Sequence, residues 1–221
     1  MEAEFWHERW RRNEIAFHQG RANARLTAWF DRLGTAPGAT ILVPLCGKSH
    51  DMRWLLECDR RVLGVELSPV AVEAFFTEYG IAFECQSEGA FRRYRGGRAE
   101  ILCGDFFDLT PRELQGVDAV YDRAAIVALP EAMRARYVRH LLATLPPSVP
   151  ILLVALEFPD GEMEGPPFSV TEEEVRGHFG DACAVECLAS HEILEQEPGL
   201  RRRGLSRLGE HAFLIGPRAA R

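Results

Sequence analysis

Most signatures that assign a chain at a glance are missing here. The six cysteines (Cys46, Cys58, Cys85, Cys103, Cys183, Cys187) form no CxxC pair and have no histidine-rich companion spacing. Neither a zinc site nor a disulfide framework is expected, and no metal ligand set is assigned; the thiols read as buried and reduced. No apolar run approaches the ~18 residues of a membrane span; the longest, Ile151 to Leu156, is of strand length. The opening MEAEFWHERWRRNE is charged throughout and holds no apolar leader core. A basic excess is also lacking. The net charge is -7, and the clusters Arg92-Arg93-Arg95 and Arg201-Arg202-Arg203 read as solvated loops among acids. Nucleic acid is excluded as a general partner, and no membrane association is expected. With no repeat, low-complexity tract or apolar surface stripe, the expectation is a soluble, cytoplasmic monomer.

What is present is enough for one large core: 221 residues, 47% of them hydrophobic. A single domain over 1–221 is expected, residues 1–33 forming a helical cover and 34–221 an α/β core. The stretch Thr40 to Ser68 organises the rest. It predicts a buried strand (Ile41 to Val43), a turn, a helix from Asp51 to Cys58, and a second strand, Val62 to Val65, ending on Glu66. Pro44 cannot continue a ladder, and Gly47 lets the backbone approach a ligand. Strand, glycine turn, helix and strand closing on an acid make half of a nucleotide-binding unit, the acid placed to accept hydrogen bonds from both ribose hydroxyls.

The alternation continues along the chain. Ser68 as N-cap and Pro69 at the first helical position predict a helix to Tyr79. Ala82 to Arg98 is irregular with room for a short hairpin. Strands are expected at Ala99–Cys103, Val117–Asp122 and Val149–Phe158, with a helix from Pro130 to Leu145 presenting Met133, Tyr137 and Leu141 on one face. Thr171 and Glu174 form a capping box for a helix to Phe179, and Ala182–Leu188 and His211–Ile215 form an antiparallel pair. Before the core, Glu4–Asn13 predicts a helix with Phe5, Trp6 and Trp10 on an aromatic face, and Asn23–Leu33 a second. The fold class is therefore α/β, a doubly wound, seven-stranded, mostly parallel sheet of Rossmann-like type. Its ligand lies where Leu45-Cys46-Gly47, Glu66-Leu67, Gly104-Asp105-Phe106 and Asp122-Arg123 converge.

Three ligands suit an acid-ended second strand. A P-loop requires GxxxxGK[ST], but Leu42 stands where the first glycine of a Gly47-Lys48-Ser49 match belongs. A dinucleotide oxidoreductase of NAD type requires GxGxxG, and this turn holds one glycine behind Leu45 and Cys46, so a pyrophosphate would meet side chains. S-adenosylmethionine carries adenosine without phosphates. It needs a ribose acid (Glu66), an adenine-edge acceptor with an apolar wall (Asp105, Phe106), and aromatics that tolerate a sulfonium cation (Trp6, Trp10). A non-catalytic cofactor sensor with the same fold is the remaining reading.

The pieces FWHERW, IAFHQG, PLCGKSHDMRWL, VLGVELS, EAFFTE, CGDFFDL, YDRAAIVALP and GPPFSV together resemble the thiopurine S-methyltransferase family over nearly the whole chain. The resemblance implies a class I methyltransferase that moves the methyl group of S-adenosylmethionine to an aromatic or heterocyclic thiol, leaving S-adenosyl-L-homocysteine. A reduced selenium or tellurium species is an alternative acceptor on family grounds. By position, Trp10, Leu45, Glu66 and Arg123 match the family's cofactor-contacting residues, Asp105 and Phe106 its adenine segment, and Phe17 and Arg123 its acceptor-facing positions. Gly47 and Leu67 join the cofactor set as neighbours in the same turns, as does Trp6 from the cover. Phe168 joins the acceptor set through the GPPF loop. Arg123 is expected to stabilise a thiolate, with Asp122 orienting it, and His18 reads as structural.

Overall fold

The computed structural model describes residues 3–14 and 20–218. Phe17 and His18 therefore lie outside the described residues. Nine strands form one sheet: β1 (Thr40–Pro44), β2 (Arg61–Glu66), β3 (Glu84–Glu88), β4 (Phe91–Gly96), β5 (Ala99–Cys103), β6 (Ala119–Arg123), β7 (Ile151–Glu157), β8 (Cys183–Glu192) and β9 (Gly209–Pro217). Their order is β3-β4-β5-β2-β1-β6-β7-β9-β8. The five central strands, β5 to β7, are parallel, and the antiparallel pairs β3-β4 and β9-β8 close the two edges. The chain winds outward from β1 through β2 to β5, then returns to β6 on the other side of β1. The switch point between β1 and β6 opens a crevice at the strands' carboxyl ends.

Seven of these strands are the expected ones. The other two are the β3-β4 hairpin, which joins the sheet through β4 paired with β5. It lies within residues 82–98, the stretch with room for a short hairpin; β3 is exposed along most of its length, so the apolar alternation that would fix its bounds is absent. The hairpin also corrects the reading of Arg92-Arg93-Arg95 as a solvated loop. Arg93 is buried in β4 and faces Glu88, Glu100 and Glu113.

Period-two alternation sorts the central strands between two cores. Ile41, Val43, Ala119 and Tyr121 face a layer built from α2 (Ala24–Trp29), the 3-10 turn Phe30–Leu33, α3 (His50–Glu57) and α4 (Pro69–Glu78). Leu42, Val120 and Leu153 face α5 (Glu131–Thr144) and α6 (Glu172–Phe179). Leu26, Leu55, Phe75, Leu141 and Phe179 are fully buried, each contributing roughly 1.5–3 kcal/mol by leaving water. Two caps differ from expectation. Ser68 occupies the N-cap position of α4, but its hydroxyl makes no cap bond and is buried without a partner among the described residues. Thr171 does accept from the Glu174 N–H at 3.1 Å. The Glu174 carboxylate, instead of closing the box, takes the buried Arg134 guanidinium at 2.7 Å through both oxygens. That pair ties α6 to α5.

The N-terminal segment is pinned through polar groups. The Asn23 N–H donates to Asp51 Oδ1 (2.7 Å), and its side chain to Glu210 Oε1 (2.8 Å). Asp51 also accepts from the Tyr121 hydroxyl at 3.0 Å. Upstream, α1 (Ala3–Arg11) presents a buried Trp10.

Candidate active site

A cavity of about 300 Å³ lies at the carboxyl ends of β1, β2, β5 and β6. Glu66, the last residue of β2, sits in its floor and is buried. One carboxylate oxygen accepts from the Gly47 N–H at 2.9 Å, the other from the Ser68 N–H at 2.7 Å. Burial pushes the Glu66 carboxyl above the usual carboxylate range, against the opposing pull of the Ser68, Gly47 and Leu67 backbone groups. The acid is thus fixed before any ligand arrives, and each oxygen keeps a lone pair for one.

The turn beneath is shaped by two successive exits from ordinary strand geometry. Leu45 has φ +48° and Gly47 φ +53°. The Cys46 N–H still pairs with the Val65 carbonyl at 3.0 Å, so β1 stays tied to β2 while the chain reverses. A methyl group on Gly47 would stand 3.1 Å from the Trp10 ring. Glycine is required there both for the left-handed φ and for the indole seated on it. Ala124, directly after β6, has φ +76°, a conformation that L residues hold only where their surroundings impose it. Both strained residues line the cavity.

The walls are apolar. Trp6 and Trp10 come from α1, and Leu67 from the β2–α4 turn. Phe106 packs on Tyr137 of α5 with ring centroids 4.8 Å apart. Val127, Ala128, Leu129, Met133, Pro166 and Pro167 complete the far side. Asp105 stands exposed on the rim, where its Oδ1 accepts from the Phe107 N–H at 2.9 Å.

Of the residues singled out from sequence, Trp6, Trp10, Leu45, Gly47, Glu66, Leu67, Asp105 and Phe106 converge on this cavity. Arg123 and Phe168 do not line it. Arg123 is half-buried at the end of β6, and alternation places it on the face of Tyr121, toward the N-terminal segment. Among the described residues it makes no ion pair with Asp122 or Glu66. Asp122 does not orient it. That fully buried carboxyl accepts from the Tyr137 hydroxyl (2.6 Å) and the Ile126 N–H (3.4 Å), on the opposite face. Burial raises it to about 6. Phe168 folds back so closely on Gly165 that a methyl group there would meet its ring at 2.5 Å, and the Arg134 guanidinium stands 5.9 Å from its ring centroid. Ala124, Val127, Ala128 and Leu129, and the α5 residues Arg136 and Tyr137, were missed as lining. Their signal was the YDRAAIVALP run at the end of a core strand, together with the expected Met133–Tyr137 face.

Comparisons with known proteins agree with this geometry. The thiopurine S-methyltransferase family model matches residues 1–217. The chain is 47% identical over 220 residues to a thiopurine S-methyltransferase of Nitrosospira multiformis, covering 100% of both. It is 48% identical over 215 residues to one of Pseudomonas entomophila, covering 97% of this chain and 99% of that one. Among solved structures, Burkholderia thailandensis 1,6-didemethyltoxoflavin-N1-methyltransferase, with 1,6-didemethyltoxoflavin and S-adenosylhomocysteine bound, superposes with a TM-score of 0.64 at 14% identity, covering 99% of this chain and 87% of that one. At that identity it speaks for the fold. The chain belongs to the thiopurine S-methyltransferase family, the S-adenosylmethionine-dependent enzymes that methylate thiopurine-type thiols.

Proposed function

We propose that the cavity at the carboxyl ends of the strands is the methyl-transfer site, and that its acceptor is a small, flat aromatic or heterocyclic thiol. The observation that carries this reading is the buried Glu66 carboxylate, held by two backbone N–H groups in the floor of an otherwise apolar cavity. Such a floor fits a ribose under a sulfonium and has no nest for a pyrophosphate. S-adenosylmethionine supplies, when bound, a methyl group already activated on its sulfonium sulfur.

The chain's own task is then to bind, align and exclude water. Glu66 holds the ribose hydroxyls. Leu67, Phe106 and Asp105 take the adenine, and Leu45, Gly47, Trp6 and Trp10 enclose the methionine portion. An acidic thiol is partly ionised near neutral pH, so no strong base is demanded, and none lies in the apolar far wall. Asp122 is committed to Tyr137 and serves to hold the wall that Tyr137 and Phe106 build. Arg123 remains the proposed cation for the thiolate. It precedes the cavity-lining Ala124, and its charge is not neutralised by either neighbouring acid. Phe17 is proposed to face the acceptor, with Phe168 backing the Pro166-Pro167 wall. Residues 1–33 act as the cover of a single catalytic domain that works as a monomer.

The test is transfer of labelled methyl from S-adenosylmethionine to 6-mercaptopurine by the purified protein, with Glu66→Ala beside it. Turnover that the variant loses is expected. Binding of S-adenosylhomocysteine without any turnover would discard the thiopurine-like acceptor.

A further inference from the structure

The cavity carries a cation that sequence reading passed over. Met133, Arg136 and Tyr137, at i, i+3 and i+4 on α5, share the face that lines it. Arg136 is the only basic residue lining the cavity among the described residues. Its guanidinium carbon stands 3.8 Å from the centroid of the Phe107 ring, a close cation–π stack. Phe107 is in turn fixed by its N–H donating to Asp105 Oδ1. Arg136 and Asp105 are thus both tied to Phe107, on one rim, with opposite charges.

They do not consume each other. Among the described residues Arg136 has no hydrogen bond or ion pair, so its five N–H groups are uncommitted. Asp105 uses one oxygen on Phe107 and keeps the other. An acceptor and a fan of donors therefore line the same cavity as the apolar side chains Leu67 and Phe106. Adenine presents the complementary pattern on an edge: an exocyclic amine that donates, beside a ring nitrogen that accepts.

We propose that Arg136 is a cofactor-reading residue: held over the Phe107 ring, it donates to the adenine ring nitrogen next to the amine from which Asp105 accepts. This deepens the reading of the cavity as the S-adenosylmethionine site and rests on it. Asp105 alone would select an exocyclic amine. The pair selects the amine together with its neighbouring ring acceptor, which is a stricter description of adenine.

Calorimetric titration tests this with S-adenosylhomocysteine and with two analogues in which N1 or N7 of the adenine is replaced by a C–H group. The proteins are wild type, Arg136→Leu and Arg136→Lys. Arg136 is exposed, so the variants are expected to fold, and circular dichroism checks that they do. The expected result is about tenfold weaker binding of S-adenosylhomocysteine by Arg136→Leu, with only partial recovery in Arg136→Lys. One of the two analogues binds wild type about tenfold more weakly and costs Arg136→Leu nothing further. Unchanged affinity in Arg136→Leu overturns the assignment. So does wild type that tolerates both analogues, or equal losses on each analogue in wild type and variant. An Arg136→Leu protein that keeps its S-adenosylhomocysteine affinity but needs more thiol to reach half-maximal rate moves the residue to the acceptor and also overturns it. Wild type that binds no S-adenosylhomocysteine overturns the cofactor reading itself, an outcome separate from all of these.

Discussion

Two cavities of similar size lie at opposite ends of the same sheet. The one at the carboxyl ends holds about 300 Å³ and the one at the amino ends, around Thr40, Arg61 and Ala99, about 340 Å³. The second is lined by four arginines, Arg61, Arg93, Arg95 and Arg98, with Glu100 and Glu113, and by charge alone it is the more conspicuous. Its charges, however, largely satisfy one another. Arg93 reaches Glu88 (3.2 Å), Glu100 (2.9 Å) and Glu113 (3.6 Å), Arg95 reaches Glu88 and Glu100, and Arg98 pairs with Asp59. The first cavity has few charges, but they are held by the backbone or by a ring face and left open toward the space. Volume and charge do not make a ligand site. Fixed polar groups with remaining capacity, set in an apolar wall, do.

The sharpest way to break this contrast is to disable the amino-end network. Arg93→Met leaves three carboxylates facing one another, and we expect a stability loss of about 3 kcal/mol by urea denaturation, the low end for a broken buried pair because its partners are part-exposed. Affinity for S-adenosylhomocysteine should stay within about twofold, since the network is structural; a large loss of binding would collapse the distinction between the two ends.

At the carboxyl end the charge is isolated, and pH exposes that. Asp122 is raised from 3.8 to about 6, so between those values the folded protein holds a proton that the unfolded chain has released. This group's contribution favours the folded state most below pH 4. It declines by as much as about 3 kcal/mol as pH rises through 6, then levels off. Asp122→Asn should lose that slope, read as the difference between variant and wild type in denaturation series at pH 4.5 and pH 7. Glu66 is raised in the same direction and leaves a residual slope of the same sign. A variant with the wild-type pH profile would contradict the buried-acid description of this wall.

Smaller effects sharpen the roles within the cavity. Glu66→Ala should weaken S-adenosylhomocysteine binding by about 1.5–3 kcal/mol, the scale of a charged hydrogen-bond partner; calorimetry showing unchanged affinity would remove Glu66 from the site. Arg123→Ala should lower turnover on an acidic thiol about tenfold while changing cofactor affinity less. Equal losses in both would end the thiolate role.

Legibility in the sequence followed local physical signals. The β1–α3–β2 unit was readable because apolar runs, Pro44, Gly47 and a closing acid each impose a backbone state regardless of the rest of the chain. The cavity floor followed from it. Other features depend on partners distant in sequence. Room for a hairpin was legible in residues 82–98, but the bounds of β3 and β4 were not, because exposed edge residues carry no alternation. Asp122 and Arg123 adjoin in sequence, yet a strand sends them to opposite faces, so the expectation that one orients the other failed on period two. Glu174 fitted a capping box until Arg134, 40 residues away, claimed its carboxylate. Arg136 was invisible because Arg134, Arg136 and Arg139 stand close together in the α5 sequence, and nothing local marks which guanidinium reaches the cavity.

Amide hydrogen exchange with and without S-adenosylhomocysteine separates the two ends of the sheet most directly. Added protection is expected in the turns after β1, β2 and β5, at residues 45–49, 66–68 and 104–107, and none in the amino-end network at 93–98 and 113–117. Protection centred on the arginine-lined cavity, or none at the three turns, would contradict a ligand site at the carboxyl ends.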